Sequence, residues 1–184
     1  MSEQEPISPR ELIAQLGEME RRATSRHEVV PQQDKARTLW DGIAFNLMST
    51  PVVAQLNDIK EILNLPSSIT RVPGTRNWLL GIANIRGNLL PISDLQLYLG
   101  GKPIGINKRS RVLVIDQEGF RVGLLVGGVQ GILHFKPEQH TVNDFTSAAL
   151  AKYASDAVRD ENEIWPVFDV QLLDEDEEFQ MASL

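Results

Sequence analysis

The sequence predicts an all-β fold with a few short helices, on two observations. From Trp40 onward, short runs rich in Val, Ile, Leu and Phe alternate with turn residues, and only short segments between them have helical character. A strand–Asp–helix pattern also occurs twice, which suggests two related β subdomains. Strands of this length with short helices are typical of small barrels and sandwiches.

Composition excludes several classes of protein. The 184 residues suggest one domain or two closely joined halves. The chain has no Cys, so disulfides, thiolate metal ligands and cysteine nucleophiles are excluded. The net charge of −7 disfavours a nucleic-acid partner, because phosphate backbones repel such a surface. The N-terminus has no apolar core of a secretion signal, and runs such as VGLLVGGVQGIL are shorter than the roughly 20 residues that span a bilayer.

The N-terminal extension is predicted to contain one helix. Ser8 can cap it, Pro9 suits its first position, and Glu11 completes a capping box. Apolar residues at helical spacing then predict a helix over about 9–23: Leu12, Ile13, Leu16 and Met19. This helix either docks on its own domain or is reserved for a partner. Residues 24–38 resemble a polar linker.

The strand assignments follow in chain order. DGIAFNLMST and PVVAQL form a pair of strands, IKEILNL is predicted as a short helix capped by Asn57 or Asp58, and SITRVP is extended. GIANIRGNLLPISDL supplies two strands, and VLVI and VGLLV two more around the turn DQEG. GILHF is predicted as a further strand, residues 148–153 as a short helix, and EIWPVFD as the last strand.

The repeated pattern is carried by PISDLQL, residues 91–97, and PVFDVQL, residues 166–172. In both, an Asp stands between a strand and an apolar, helix-compatible segment. Asp94 and Asp169 are therefore predicted to be helix N-caps, because a carboxylate there can accept hydrogen bonds from the free amides of the first turn. A catalytic carboxylate pair is the minor alternative. Chance is a fair rival to a true repeat, since the shared pattern is short.

The stretch GIANIRGNLLPISDL, residues 81–95, presents two different faces. Strand alternation directs Ala83 and Ile85 to the core, and directs Asn84 and Arg86, with Leu89 from the next strand, to the other face. A two-residue turn at Gly87-Asn88 is predicted. That register pairs Asn84 with Pro91, which has no N–H to donate, so either a bulge intervenes or the loop is longer.

Arg86 has two interpretations. A guanidinium keeps its charge, is weakly hydrated and suits a protein interface. Alternatively, the side chain lies over its own sheet and pairs with a local Asp or Glu.

Catalytic and metal-binding motifs are not found in the sequence. It contains no GxxxxGK[ST] phosphate loop and no GxSxG elbow, and the glycines of VGLLVGGVQGIL are interpreted as bulges or bends. His134 and His140, six residues apart, make a poor zinc site without a clear third ligand. We therefore expect no enzyme activity, no cofactor and no metal. The acidic run at 174–178 is a solvated tail or helix end, or alternatively a docking tail for a basic partner.

Several of these segments together resemble the CheW-type chemotaxis coupling proteins. GIANIRGNLLPISDL is similar to the signature stretch of that family, and VLVIDQEGFRVGLLVGGVQGIL to the paired strands that follow. IKEIL resembles an early helical segment of the family, and VFDVQLL its closing strand and helix. The resemblance covers about residues 40–173, in order and at compatible spacing.

The resemblance implies a fold of two intertwined, five-stranded, SH3-like β-barrels without catalytic activity. It implies an adaptor that couples the cytoplasmic tip of a methyl-accepting chemoreceptor to the regulatory domain of a CheA-type histidine kinase. Within the family, the N-terminal extension, WDGIAFNL and the signature wording are most similar to adaptors of the system that controls type IV pili and twitching motility. A flagellar coupling protein and an array-forming scaffold are the alternatives. The expected location is the cytoplasm, at receptor arrays of the inner membrane.

The resemblance also implies where partners bind. Arg86 and Gly87 match the turn associated with receptor coupling, and Gly81 matches a glycine of the same stretch. Three residues fall where the family has receptor-facing or kinase-facing side chains: Ile59, Glu61 and Ile62. Two departures weaken other contacts, since Gly127 replaces the usual Asp and the sequence around Asp156 replaces a glycine-rich bend.

Three regions are therefore predicted. Residues 1–38 form an N-terminal helical extension and linker, residues 39–174 form the CheW-like domain, and residues 175–184 form an acidic tail.

Overall fold

The computed structural model describes residues 40–48, 50–117, 119–142, 148–154, 156–160 and 163–182. The predicted helix at 9–23 and the linker at 24–38 lie outside these residues, so both stay predictions. None of the helices in these ranges is long and apolar enough to cross a membrane.

The secondary structure confirms the predicted all-β class with short helices. The eleven strands within the described ranges are β1 Trp40–Leu47, β2 Thr50–Gln55, β3 Glu61–Asn64, β4 Leu79–Ile85, β5 Asn88–Asp94, β6 Arg111–Gln117, β7 Phe120–Val126, β8 Val129–Phe135, β9 His140–Val142, β10 Asp156–Asp160 and β11 Glu163–Phe168. The helices are α1 Leu95–Tyr98, α2 Ala148–Ala151, α3 Val170–Asp174 and α4 Glu177–Gln180, with 3-10 turns at Leu56–Asp58 and Pro137–Gln139.

The predicted helix over IKEILNL is wrong. Only Leu56–Asp58 forms a single 3-10 turn, and Glu61–Asn64 is strand β3. β3 pairs antiparallel with β6 and aligns Ile62 with Leu113. The helix-compatible spacing was overridden because pairing with a buried neighbouring strand satisfies the backbone along the whole segment.

The strands form two sheets that the chain visits alternately. Barrel A is a six-stranded sheet in the order β8-β1-β2-β11-β10-β9, and barrel B is a five-stranded sheet in the order β3-β6-β7-β5-β4. The chain begins in barrel A, builds all of barrel B with β3 to β7, and returns to complete barrel A. The two halves are therefore intertwined, as the resemblance to the CheW-type proteins implies.

Barrel A has six strands where five were predicted, because β8 and β9 are one interrupted strand. The 3-10 turn that begins at Pro137 separates them, and proline has no N–H to continue a ladder. Five residue steps from Phe135 to His140 reach about 18 Å at most, whereas a flat six-stranded sheet is about 24 Å wide. The sheet must therefore curl, which brings its two edge strands closer together than a flat sheet allows.

Barrel B closes in a similar way. The segment after β3 returns to β4, where the Thr70 N–H donates to the Ile82 carbonyl and the Ile82 N–H donates to the Thr70 carbonyl, both at 2.8 Å. This bridge occupies the place that β9 occupies in barrel A, where Thr141 pairs with Ala157.

The repeated sequence pattern corresponds to a structural repeat. β5 pairs in parallel with β7, and β11 pairs in parallel with β2. Pro91 aligns with Ile82, and Pro166 aligns with Ala157, so the two prolines occupy equivalent positions. Each strand then leads into a helix at the repeated aspartate. Asp94 accepts a hydrogen bond from the Leu97 N–H and Asp169 from the Gln171 N–H, both at 2.9 Å.

The core has three layers because the central strands are buried on both faces. On β6, Val112 and Val114 point into barrel B, whereas Leu113 and Ile115 point into a larger cluster shared by both sheets. A third cluster fills barrel A around Ala44, Phe135 and other residues. This two-sided burial explains why VLVI reads as an unbroken apolar run.

The C-terminal helix α4 packs on barrel B through an aromatic cluster. Phe179 is buried and stacks on Trp78 with ring centroids 5.1 Å apart, and Tyr98 meets both rings edge to face. The predicted tail boundary at residue 174 stays a prediction, but Phe179 lies in the hydrophobic core.

A buried carboxylate ties this helix to the rest of the domain. Asp176 caps α4, and its Oδ2 accepts hydrogen bonds from Tyr98 Oη at 2.7 Å, Lys152 Nζ at 2.5 Å and Tyr153 Oη. Burial acts to raise the pKa of Asp176, but the hydrogen bonds from Lys152, Tyr153 and Tyr98 outweigh it and hold the pKa well below the usual range.

We expect Asp176 to make the domain acid-sensitive. Because its pKa is lower when folded, this carboxylate stabilises the domain above the unfolded pKa of about 4, and the contribution is lost as pH falls further. Urea unfolding of wild type and Asp176→Asn from pH 6 to pH 2 should show a difference in the free energy of unfolding that becomes smaller towards low pH. A difference in the free energy of unfolding that is independent of pH would contradict the lowered pKa of Asp176. Asp160→Asn, at an exposed position, serves as the control.

Candidate functional site

The β4–β5 hairpin turns at Arg86-Gly87, one residue earlier than predicted. Both residues have left-handed backbone, with φ of 52° and 85°, as a type I′ turn requires. The register therefore pairs Ile85 with Asn88 and Asn84 with Leu89. The predicted Gly87-Asn88 turn is wrong. Because Asn84 does not pair with Pro91, neither a bulge at that pair nor a longer loop is needed.

Local contacts explain how a non-glycine residue holds this turn. The Asn84 side chain accepts a hydrogen bond from the Gly87 N–H at 2.8 Å. The type I′ geometry also matches the twist of the flanking strands, which compensates for positive φ at Arg86. Pro91 aligns with Ile82, and the one bulge in this ladder lies at Leu80, between the Leu79 and Gly81 pairings.

The Arg86 guanidinium forms an ion pair with Glu61 on β3. Arg86 Nη2 lies 2.5 Å from Glu61 Oε1, and Nη1 lies 3.2 Å from Oε2. The Arg86 side chain is 75% exposed. The pair connects the hairpin tip to the opposite edge strand of barrel B, so two residues predicted separately as partner contacts lie together. An exposed pair of this kind contributes about 1 kcal/mol or less, so a partner can replace it at little cost.

Exposed aliphatic side chains accompany this pair. Leu89 is 68% exposed beside Asn84 in the ladder, and Ile62 is 39% exposed next to Glu61. Ala83 is buried, which agrees with the predicted sidedness of the hairpin. The hairpin tip and β3 thus present Arg86, Gly87, Asn84, Leu89, Glu61 and Ile62, which we call the tip surface.

Two of the predicted contact residues lie beneath the surface instead. Ile59 is 8% exposed and packs into the shared core. Gly81 is buried against the Thr70 backbone, and a Cβ at this position would stand 2.2 Å from the Thr70 carbonyl oxygen. Both residues can shape the tip surface only indirectly, by holding β3 and β4 in place.

The structure adds a groove that sequence reasoning missed. Beside Asn84 and Leu89, the loop after β3 forms a concave surface lined by Pro66, Ser67, Ser68 and Thr70. The Pro-Ser-Ser composition marks a loop, but no spacing in the sequence connects it to β4. Only the Thr70–Ile82 bridge brings it there.

Barrel A presents equivalent exposed positions. In the β10–β11 ladder of barrel A, Arg159 pairs with Ile164, which corresponds to the pairing of Asn84 with Leu89 in barrel B. In the β1–β8 ladder, Ile132 pairs with Ile43, which corresponds to the pairing of Ile62 with Leu113. Ile164 and Ile132 are 49% and 50% exposed. The repeat therefore displays one aliphatic pair on each barrel, which the sequence pattern did not reveal.

The two histidines in the described ranges, His134 and His140, form strand-to-strand pairs with aspartates. His134 Nδ1 lies 2.7 Å from Asp41 Oδ1, and His140 Nδ1 lies 2.7 Å from Asp156 Oδ2. Asp156 itself lies on β10, at the position of the expected glycine-rich bend. In the described ranges, no group of three or more His, Asp or Glu side chains is arranged to hold a metal ion.

Two intertwined barrels with an exposed hairpin tip define a small β scaffold that presents side chains at its surface. The family model of the CheW-like domain matches residues 41–178, and the chain belongs to this family.

Individual relatives agree with that assignment. PilI of Pseudomonas aeruginosa is 39% identical over 106 residues, which cover 58% of this chain and 59% of PilI. The match thus spans less than two thirds of PilI. The chemotaxis protein CheW of Helicobacter pylori is 30% identical over 118 residues, covering 61% of this chain and 70% of that protein.

A solved structure has the same fold. The crystal structure of the scaffolding protein TtCheW from Thermoanaerobacter tengcongensis superposes with a TM-score of 0.68, covering 80% of this chain and all of that chain at 20% identity.

Proposed function

We propose that this chain is a non-catalytic adaptor that couples a methyl-accepting chemoreceptor to a CheA-type histidine kinase. Membership of the CheW-like family supports a coupling role. The observation that carries the proposal is the tip surface, which combines an Arg86 side chain that is 75% exposed with the exposed aliphatic residues Leu89 and Ile62. Arg and aliphatic side chains on a preorganised scaffold suit protein binding.

The similarity to PilI supports a place in the chemosensory system of type IV pili and twitching motility. Such an adaptor would work in the cytoplasm, at receptor arrays on the inner membrane. A flagellar coupling role is the alternative that the Helicobacter relative supports. Kinase output would change because the adaptor binds the active and inactive arrangements of receptor and kinase with different interaction free energies.

An array-forming scaffold is the second candidate. The observation in its favour is that Ile62 and Leu89 on barrel B have equivalents in Ile132 and Ile164 on barrel A. A body with equivalent exposed positions on both barrels could bind two neighbours at once.

Binding to purified partners tests the proposal. The full chain is immobilised, and the regulatory domains of the CheA-type kinases of the source cell and the cytoplasmic fragments of its chemoreceptors are applied in turn. We expect binding to a kinase domain and a receptor fragment, with the pilus-system proteins preferred. Preference for the flagellar proteins would support the alternative, and no binding to either class would refute the coupling role.

Arg86→Ala should weaken binding of one partner by about 1 to 3 kcal/mol, in the range of interface arginine anchors. Stability should change by less than about 1 kcal/mol, because the Arg86–Glu61 pair is exposed. Isothermal titration calorimetry and urea unfolding measure the two effects.

The exchanged variant Glu61→Arg/Arg86→Glu is the matched control. It restores an ion pair of reversed polarity, so stability should stay near wild type while binding remains weak. If binding recovered with the exchange, the ion pair itself and not Arg86 would be the determinant.

A further inference from the structure

A second charged surface lies on the loop between α1 and β6. Residues 95–115 contain no Asp or Glu, although the whole chain carries a net charge of −7. Within that stretch stand four basic residues, and all of them lie in or next to the loop: Lys102, Lys108, Arg109 and Arg111. We call residues 102–111 the basic loop.

Three of the four basic side chains are exposed, and the described residues offer none of the four an acidic partner. The exposed three are Lys102, Lys108 and Arg109. The Arg111 guanidinium instead donates to the carbonyls of Lys108 and Ser110, both at 2.8 Å. The loop therefore carries positive charge that no Asp or Glu in the described ranges compensates.

Internal hydrogen bonds fix the shape of the basic loop. The buried Asp94 carboxylate accepts from the Ile104 N–H at 2.8 Å. The Ser110 hydroxyl, also buried, accepts from the Asn107 N–H at 3.0 Å, and the Asn107 side chain accepts from the Arg109 N–H at 2.8 Å. A loop held in this way loses little conformational entropy when it binds.

One large apolar side chain stands among these cations. Ile106 is 62% exposed, although its neighbour Ile104 is buried. The four exposed aliphatic residues that the structural repeat relates lie on strands, whereas Ile106 lies in the loop and belongs to a separate feature. An exposed aliphatic residue in a loop that also carries four cations fits a partner that offers carboxylates beside one apolar side chain.

We propose that the basic loop is a docking site for an acidic polypeptide segment. Extended polyanions fit less well, because a membrane surface or a nucleic-acid duplex would also face the acidic remainder of the molecule. A single aliphatic residue also buries too little apolar area for stable membrane attachment. This inference goes beyond the proposed coupling function and does not rest on it.

Fluorescence anisotropy with the full chain and a fluorescein-labelled octapeptide of Asp, Glu and Leu tests the proposal. We expect binding at 50 mM NaCl that weakens steeply at 500 mM. Lys108→Glu/Arg109→Glu should weaken binding by about tenfold or more. Ile106→Ser, which leaves the charge unchanged, should weaken it by about three- to tenfold.

Arg71→Glu/Arg76→Glu is the matched control, because it changes the same charge at two exposed arginines of another loop. It should keep the peptide affinity within about twofold of wild type. Equal losses in both double variants, or no peptide binding by wild type, would overturn the proposal. Loop-dependent binding to phosphatidylserine vesicles without peptide binding would assign a membrane instead, and loop-dependent self-association in sedimentation would assign a second copy, so either result would also overturn it.

Discussion

Gly81→Ala should lower the free energy of unfolding by about 4 kcal/mol, the largest effect expected of any single substitution considered for this domain. Gly81 has φ of +141°, a conformation that a residue with a Cβ adopts only with strain of about 1 to 3 kcal/mol. The added methyl would also stand 2.2 Å from the Thr70 carbonyl oxygen and 2.7 Å from its carbonyl carbon. Backbone atoms cannot turn aside as a flexible side chain can, so the overpacking adds about 1 to 3 kcal/mol.

The damage would fall on the closure of barrel B. The clashing carbonyl is the one that accepts from the Ile82 N–H in the Thr70–Ile82 bridge. Differential scanning calorimetry should show Tm lowered by about 10 °C or more.

Two other glycines separate the causes of this effect. Gly74 has φ of +72° with nothing within 4 Å of an added Cβ, so Gly74→Ala should show the conformational cost alone, about 1 kcal/mol. Gly105 has open space and no positive φ, so Gly105→Ala should be close to neutral. If Gly81→Ala cost no more than Gly74→Ala, the close approach of Thr70 would be wrong, and a neutral effect like that of Gly105→Ala would contradict the backbone strain as well.

Asp94→Ala should cost about 2 to 4 kcal/mol, more than an ordinary helix cap. Asp94 is 1% exposed, and its two oxygens accept from the Leu97 N–H at 2.9 Å and the Ile104 N–H at 2.8 Å. Removal of the carboxylate leaves two backbone amides without partners, at about 1 to 3 kcal/mol for each that is buried. Urea unfolding with an unchanged m-value measures the loss.

Asp169 provides the matched comparison at the equivalent position of the repeat. Its carboxylate accepts one hydrogen bond, from the exposed Gln171 N–H. Asp169→Ala should therefore cost only about 1 kcal/mol, the usual value for an N-cap. Equal losses at the two positions would mean that the Ile104 hydrogen bond contributes nothing.

The sequence predicted the features that depend on neighbouring residues. Alternation in GIANI gave the correct inward face for Ala83, and the strand–Asp–helix pattern placed Asp94 and Asp169 at the starts of helices. Both predictions depend on periodicity within a few residues, which the local backbone geometry fixes. The turn was placed one residue late because Gly87 was taken as the first of the two turn residues. Nothing in the local sequence indicated that Arg86 would adopt left-handed backbone.

Contacts between distant segments were beyond such reasoning. Glu61 was assigned to a helix, and only its pairing with Val114 on β6 brings its carboxylate to Arg86. Gly81 was expected at a binding surface, but the returning Thr70 segment covers it. The Asp176 network likewise joins residues from α1, the end of α2 and α4.

By itself, then, the amino-acid sequence determined that the chain would form short strands with caps at Asp94 and Asp169, and which side chains of the hairpin would face outward. The tertiary structure alone decided that β3 is a strand, that Arg86 meets Glu61, and that the carboxylate of Asp94 holds the basic loop. The physical reason is the range of the interactions. Alternation and capping act over a few residues, whereas strand pairing and barrel closure join segments whose proximity exists only after the chain has folded.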